Sequence, residues 1–160
     1  MSTNTGNLYN LAGTQLQKGA CVVIVQTEWN EAAITALNAG CISILKNNGV
    51  AYTIITVPGA FEIPYAIKKY WDIHKYKEDK PHAFITLGCV IKGDTPHFEY
   101  VCNAVTNGVL QLNLTLPVPT IFGVLTVNNQ AQVDERLGGI HGHKGEEAAI
   151  TAIKMIRLFN

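Results

Sequence analysis

The chain reads as an α/β protein, a parallel sheet with helices on both faces. Three observations predict this. Continuous apolar runs of strand length recur, as in ACVVIVQ (20–26) and HAFITLGCVI (82–91), which suits strands buried on both sides. Stretches with helical spacing of apolar residues alternate with those runs. No linker or internal repeat divides the 160 residues, so a single domain spanning 1–160 is expected.

Residues 1–18 are polar and rich in Asn, Thr and Gly, an arm rather than a core element. The strand at 20–26 comes next. Asn30 is placed to cap the helix that follows, with Glu31 favourable in its first turn. Ile34, Leu37, Cys41, Ile44 and Leu45 keep helical spacing there, and Gly49 supplies the stop. AYTIITV (51–57) is the second strand and ends at Pro58-Gly59. A helix over about 61–70 tolerates Pro64 because it falls in the first turn. After a charged loop, 82–91 forms the third strand. The third helix begins near Pro96, with Phe98, Val101, Cys102, Val105, Val109 and Leu112 as its apolar stripe. TIFGVLTV (120–127) is the fourth strand. NQAQVDERLGG reads as a short helix closed by Gly138-Gly139. KGEEAAITAIKMIRLF is a last amphipathic helix with Ala149, Ala152, Ile153 and Ile156 on one face.

Composition narrows the function classes. The chain is 48% hydrophobic and only 15% charged, against about 25% in typical soluble domains. A surface short of charge predicts coverage by other subunits. Net charge is zero, so neither nucleic acid nor an anionic membrane is expected as a partner. Cys21, Cys41, Cys89 and Cys102 form no C-x-x-C pair and read as reduced residues of a cytoplasmic protein. The N-terminus has no basic region followed by an apolar run, and no stretch reaches membrane-spanning length. G-x-S-x-G, Walker and G-x-G-x-x-G patterns are missing, which leaves serine hydrolases, kinases and dinucleotide enzymes without support.

In a parallel α/β sheet, ligands bind beyond the carboxyl ends of the strands, where strand order reverses. QTEWN, VPGAFE and CVIKGDTPH should therefore converge. Thr95 fits a helix N-cap and Pro96 the first helical position, which puts His97 in the first turn. Free backbone donors at that end favour an anion, and Gly93 permits close backbone approach. His97 thus sits where a phosphate could bind and a proton could move, or it is a surface residue of an ordinary capped helix. Trp29 is either a lid over core or a stacking platform for a flat heteroaromatic ring. Glu62 either favours the helix dipole or accepts hydrogen bonds from ligand hydroxyls. Arg136 stands beside a Gly-Gly and reads as a bidentate phosphate clamp or a salt-bridge partner. His141 and His143 lack further ligands at metal spacing, so no metal is expected.

Together TEWN, VPGAFEIP, GCVIKGDTPHFEYV, IFGVLT, DERLGG and HKGEEAA, in this order, resemble the 6,7-dimethyl-8-ribityllumazine synthase family over about 21–156. The resemblance implies a three-layer sandwich whose four-stranded parallel sheet has flavodoxin-like order. It also implies that the N-terminal arm adds a strand to a neighbouring subunit. The implied reaction joins a ribitylaminopyrimidinedione amine to 3,4-dihydroxy-2-butanone 4-phosphate, without a cofactor. A Schiff base forms, phosphate leaves, the ring closes and water is lost.

Residue roles follow from the same resemblance. Trp29 would stack on the pyrimidinedione where many members have phenylalanine, and Asn30 would lie beside it. Ala60, Phe61 and Glu62 would hold the ring and ribityl chain. Cys89, Val90 and Ile91 would bind the pyrimidine edge through backbone groups, and Lys92 would line the site. Asp94 and Thr95 would bind phosphate. Because a carboxylate repels phosphate, the backbone N–H of Asp94 is the expected contact. His97 would be the catalytic proton-transfer residue, assisted by Glu147. Phe122, Arg136 and Lys144 would come from the neighbouring subunit. The resemblance further implies homo-pentamers, in some members packed into hollow icosahedra of sixty subunits. The compact RLGGIHGHK segment points toward the capsid form, with riboflavin synthase as a candidate partner. Two other readings carry different expectations. A flavodoxin-like module would bind FMN and ignore butanone phosphate, and a shell or flavin-storage protein would assemble without turnover.

Overall fold

The computed structural model describes residues 8–11, 16 and 19–158. Its strands are β1 (Cys21–Thr27), β2 (Ala51–Val57), β3 (Ala83–Ile91) and β4 (Thr120–Val127). They form one sheet in the order β2-β1-β3-β4, every pairing parallel. This is the flavodoxin-like order expected, and it reverses between β1 and β3. β1 pairs with β3 from Val22↔Ala83 to Gln26↔Leu87, and β3 pairs with β4 through to Ile91↔Val127.

Helices α1 (Glu31–Asn47), α2 (Ile63–His74), α3 (His97–Thr115), α4 (Gln130–Asp134) and α5 (Lys144–Leu158) complete the layers. One face of the sheet offers Val22, Ile24, Ile85, Leu87, Ile121 and Leu125 to α1 and α5. The other offers Val23, Val25, Phe84 and Val124 to α2 and α3. The period of two along each strand sends alternate side chains to opposite layers. Both faces are buried, which is why the central strands read as continuous apolar runs rather than alternating ones.

The expected stripes are buried, with graded depth. Leu37, Cys41 and Leu45 of α1 are fully covered, as are Ala149, Ala152 and Ile153 of α5. In α3, Val105, Val109 and Leu112 are core, while Phe98, Val101 and Cys102 are only partly covered. The stop at Gly49 is a Schellman motif. Gly49 takes φ 66°, its N–H donates to Lys46 O (3.1 Å), and the Val50 N–H donates to Leu45 O (3.0 Å).

Helices α1 and α5 cross closely at two glycines. The His143 ring lies where a Cβ on Gly40 would be, and the Leu37 carbonyl lies where a Cβ on Gly145 would be. Side-chain-free backbone at these points brings the start of α5 against the middle of α1.

Several elements differ from expectation. Residues 60–62 form a 3-10 turn before α2, which continues to His74 rather than ending near Tyr70. Asn30 precedes α1 but makes no side-chain cap bond, because its backbone is left-handed and its amide is used elsewhere. Thr95 does not cap α3 with its side chain. Pro96 holds the cap position with φ −62° and ψ −3°, and its carbonyl accepts from Glu99 and Tyr100. The short helix ends at Asp134. Gly138 and Gly139 do not close it but belong to a small antiparallel pair, β5 (Leu137–Gly139) and β6 (Gly142–His143). Positive φ at Gly138 (109°) and Gly142 (73°) bends this hairpin, and only glycine adopts such values freely. Phe159 and most of the 1–18 arm lie outside the described residues.

Candidate active site

Three loops meet where the strand order reverses. The first follows β1. The Glu28 N–H donates to Val57 O at the end of β2 (2.9 Å), and the Asn30 amide Nδ2 donates to Cys89 O on β3 (2.7 Å). The second loop approaches the same place. A Cβ on Gly59 would stand 3.1 Å from the Glu62 carboxylate and 3.7 Å from Cδ1 of the Trp29 indole. The third leaves β3, where the Lys92 N–H donates to Val127 O (2.8 Å).

These contacts bring together Trp29, Asn30, Glu62 and Cys89 as the sequence led one to expect. Ala60 is buried beneath the second loop, whereas Phe61 is 62% exposed and Trp29 72% exposed. An indole so uncovered is no lid over core in this chain; it is a flat apolar surface open to a ligand or a second chain. Val90 and Ile91 are partly covered at the end of β3. Lys92, Asp94, Thr95 and His97 are exposed on the loop and the first turn of α3. Lys92 stands 3.7 Å from Glu99, an exposed pair worth little. Of the first N–H groups of α3, Glu99 and Tyr100 donate to Pro96 O, which leaves those of His97 and Phe98 without intrahelical acceptors.

The Cys89 thiol is also set into this region. Burial pushes it up to about 11, so it stays protonated near neutrality and is no thiolate nucleophile. Its position matters through its backbone carbonyl.

Phe122, Arg136, Lys144 and Glu147 lie elsewhere. They line a cavity of about 630 Å³ along the outer edge of β4 and the start of α5, together with His141 and Leu8. No residue of the first cluster lines it. The Lys144 ammonium bridges both carboxylate oxygens of Glu147 at 2.8 Å. Arg136 donates to Gln132 O (2.8 Å) and stands 3.5 Å from Glu135. Phe122 is 42% exposed although it sits mid-strand, because β4 is a sheet edge.

Glu147, expected to assist His97, is thus engaged by Lys144 in the second cluster. Sequence reading missed Glu135 and treated His141 only as a metal candidate. His141 Nε2 is 3.6 Å from the Glu135 carboxylate that also faces Arg136. The hairpin alone brings these side chains together, and no local pattern announces it. Among the described residues, no three His, Cys, Asp or Glu side chains gather as metal ligands would. Among them, too, no helix is long and apolar enough to cross a membrane.

A family model described as 6,7-dimethyl-8-ribityllumazine synthase matches residues 19–160. A protein of that name from Porphyromonas gingivalis is 42% identical, the match covering 99% of this chain and 98% of the relative. One from Bacteroides fragilis is 46% identical over 83% of this chain and 92% of its own length. One from Flavobacterium psychrophilum is 46% identical over 84% of this chain and 70% of its own.

Proposed function

The chain belongs to the 6,7-dimethyl-8-ribityllumazine synthase family, and from that premise we propose how its residues carry out the reaction. It is a transferase of riboflavin biosynthesis. It condenses 5-amino-6-(D-ribitylamino)uracil with 3,4-dihydroxy-2-butanone 4-phosphate to give 6,7-dimethyl-8-ribityllumazine, phosphate and water.

The observation that carries the residue assignment is the split of the expected site into two open halves. Trp29, Glu62 and Cys89 lie at the strand ends, with His97 at the start of α3 beyond β3, and Phe122, Arg136 and Lys144 lie at the far edge of β4. The halves differ in what they offer. The first has a flat indole and free helix donors, and the second has two cations and an aromatic ring. Two copies of the chain placed with these halves face to face make one complete pocket.

In that pocket the indole of Trp29 stacks on the pyrimidinedione, beside Asn30. Ala60, Phe61 and Glu62 hold the ring and ribityl chain, while the backbone of Cys89, Val90 and Ile91 meets the ring edge. Lys92 lines the pocket. The N–H groups around Asp94 and Thr95, the α3 terminus and the neighbour's Arg136 hold the phosphate. The neighbour's Lys144 releases part of its hold on Glu147 to meet the same anion, and its Phe122 closes the apolar side. His97 moves the protons that imine formation and phosphate loss require. Most of the rate comes from bringing two substrates together, an effect worth up to about 7–11 kcal/mol.

The assembly is a homo-pentamer, closed into a sixty-subunit shell when RLGGIHGHK stays compact, with riboflavin synthase as its candidate cargo. Supporting this, α3 carries exposed Tyr100, Leu110 and Leu114, and among the described residues β2 is a sheet edge, suited to a neighbour's arm. One domain spans 1–160. Four free cysteines suit a cytoplasmic setting. The test is to mix both substrates with the protein and follow lumazine fluorescence and released phosphate. Tight FMN binding with neither signal would refute the enzyme.

A further inference from the structure

We infer that Asn30 is a positioning residue, which ties the backbone segment carrying the Trp29 indole to the end of β3 through a left-handed backbone turn and an amide tether to Cys89. This rests on the reading of Trp29 as the ring-stacking plate.

Among the described residues, Asn30 is the one non-glycine with positive φ (61°, with ψ 49°). Side chains disfavour that conformation, and asparagine tolerates it best. A residue held there needs compensating bonds, and Asn30 has three. Its carbonyl accepts the N–H groups of Ala33 (2.9 Å) and Ile34 (3.1 Å), which begins α1. Its Nδ2 donates to Cys89 O at 2.7 Å.

The last bond has a specific place. Backbone pairing of β1 with β3 stops at Gln26↔Leu87, and the amide reaches the carbonyl two residues farther along β3. The side chain therefore extends the strand connection across the point where strand order reverses. The preceding residues are tied as well. Glu28 is bonded to Val57 O, and the Thr27 hydroxyl donates to the Trp29 carbonyl at 3.5 Å. The segment carrying the indole is thus fixed to β2 at one end and β3 at the other.

An amide spent on Cys89 O is not the ligand contact that residue 30 would otherwise make. Its effect is to set one distance, between the plate under the ring and the Cys89–Ile91 backbone at the ring's edge. Misplacement by about 1 Å in such a pair costs up to about 100-fold in rate.

Asn30→Gly and Asn30→Asp separate the tether from the backbone. Both accept the left-handed turn, and neither can donate to Cys89 O. They are made with Trp71→Phe, so that Trp29 is the single tryptophan of the two. Expected for both is a larger fast component in the Trp29 anisotropy decay. Expected as well is a rise of about 10–100-fold in KM for the ribitylaminopyrimidinedione, with KM for butanone phosphate unchanged. General loosening would raise both KM values together and would overturn the inference, as would parental anisotropy and KM in either variant. Should the parent protein make no lumazine, the proposed function fails, and the anisotropy alone still decides the role of Asn30.

Discussion

Gly145→Ala tests the link between helix packing and the second half of the site. A Cβ there would overlap the Leu37 carbonyl oxygen and lie 2.8 Å from its carbon and 3.0 Å from Leu37 Cα. All three are backbone atoms, so no side chain can swing aside. Carbon atoms pack at about 3.5–4.0 Å, so α5 must retreat from α1 by about 0.7 Å or more. The retreat loosens Ala148, Ala149, Ala152 and Ile153, which fill that layer. Overpacking of this kind costs about 1–3 kcal/mol. Replacing a helical glycine returns at most about 1 kcal/mol, and less here at the second residue of the helix. Urea unfolding should therefore show a net loss of about 1–2 kcal/mol. The displaced turn also carries Lys144 and Glu147, so turnover should fall, with the KM of the phosphate substrate most affected. Gly40→Ala is the control. There the obstacle is the His143 ring, the far end of a side chain, and the loss should be smaller. Unchanged or increased stability of Gly145→Ala would refute the account of this helix crossing.

Other outcomes follow from single groups. His97→Ala should slow lumazine formation by about 10²–10⁴-fold without stopping it, and a folded, substrate-binding variant with no turnover would contradict its assignment to proton transfer alone. Arg136→Lys keeps the charge but loses the planar fork, so the KM of the phosphate substrate should rise about tenfold with the other KM steady. Burial pushes the Cys41 thiol from 9.0 to about 12. A thiol harder to ionise in the folded state leaves stability intact below pH 9 and removes it as pH climbs toward 12. Three decades at about 1.4 kcal/mol each give a loss of up to about 4 kcal/mol. Cys41→Ala should flatten stability against pH over that window; an equally steep alkaline fall in both proteins argues against Cys41 as its source.

What the sequence made legible depended on range. The central strands β1 and β3 were readable because burial on both faces leaves uninterrupted apolar runs, whereas β2, largely exposed, was readable as a β-branched run ending at Pro58-Gly59. The α1 and α5 stripes were readable because helical spacing is local. Convergence of QTEWN, VPGAFE and CVIKGDTPH followed from parallel topology alone. The misses are long-range. Asn30 looked like a cap because asparagine before a helix usually is one, yet a carbonyl fifty-nine residues away takes its amide. Thr95-Pro96 looked like a cap and first helical residue, but Pro96 itself holds the cap position and α3 begins one residue later, at His97. Gly138-Gly139 looked like a helix stop, since nothing local distinguishes that from a hairpin bend. The Glu135, Arg136 and His141 grouping exists only because the hairpin forms. The bulk missing at Gly40 and Gly145 has a cause only in the crossing of α1 and α5.

The central claim is that neither half of the pocket works alone and that two copies of the chain complete it. Trp29→Ala and Arg136→Ala, each of low activity alone, should be unfolded together, reassembled and assayed. If the halves meet across a subunit boundary, about one boundary in four in the mixed assembly joins two intact halves, and activity rises toward a quarter of the parent's. If the mixture gives only the average of the two separate variants, each chain holds its whole site and the account is wrong.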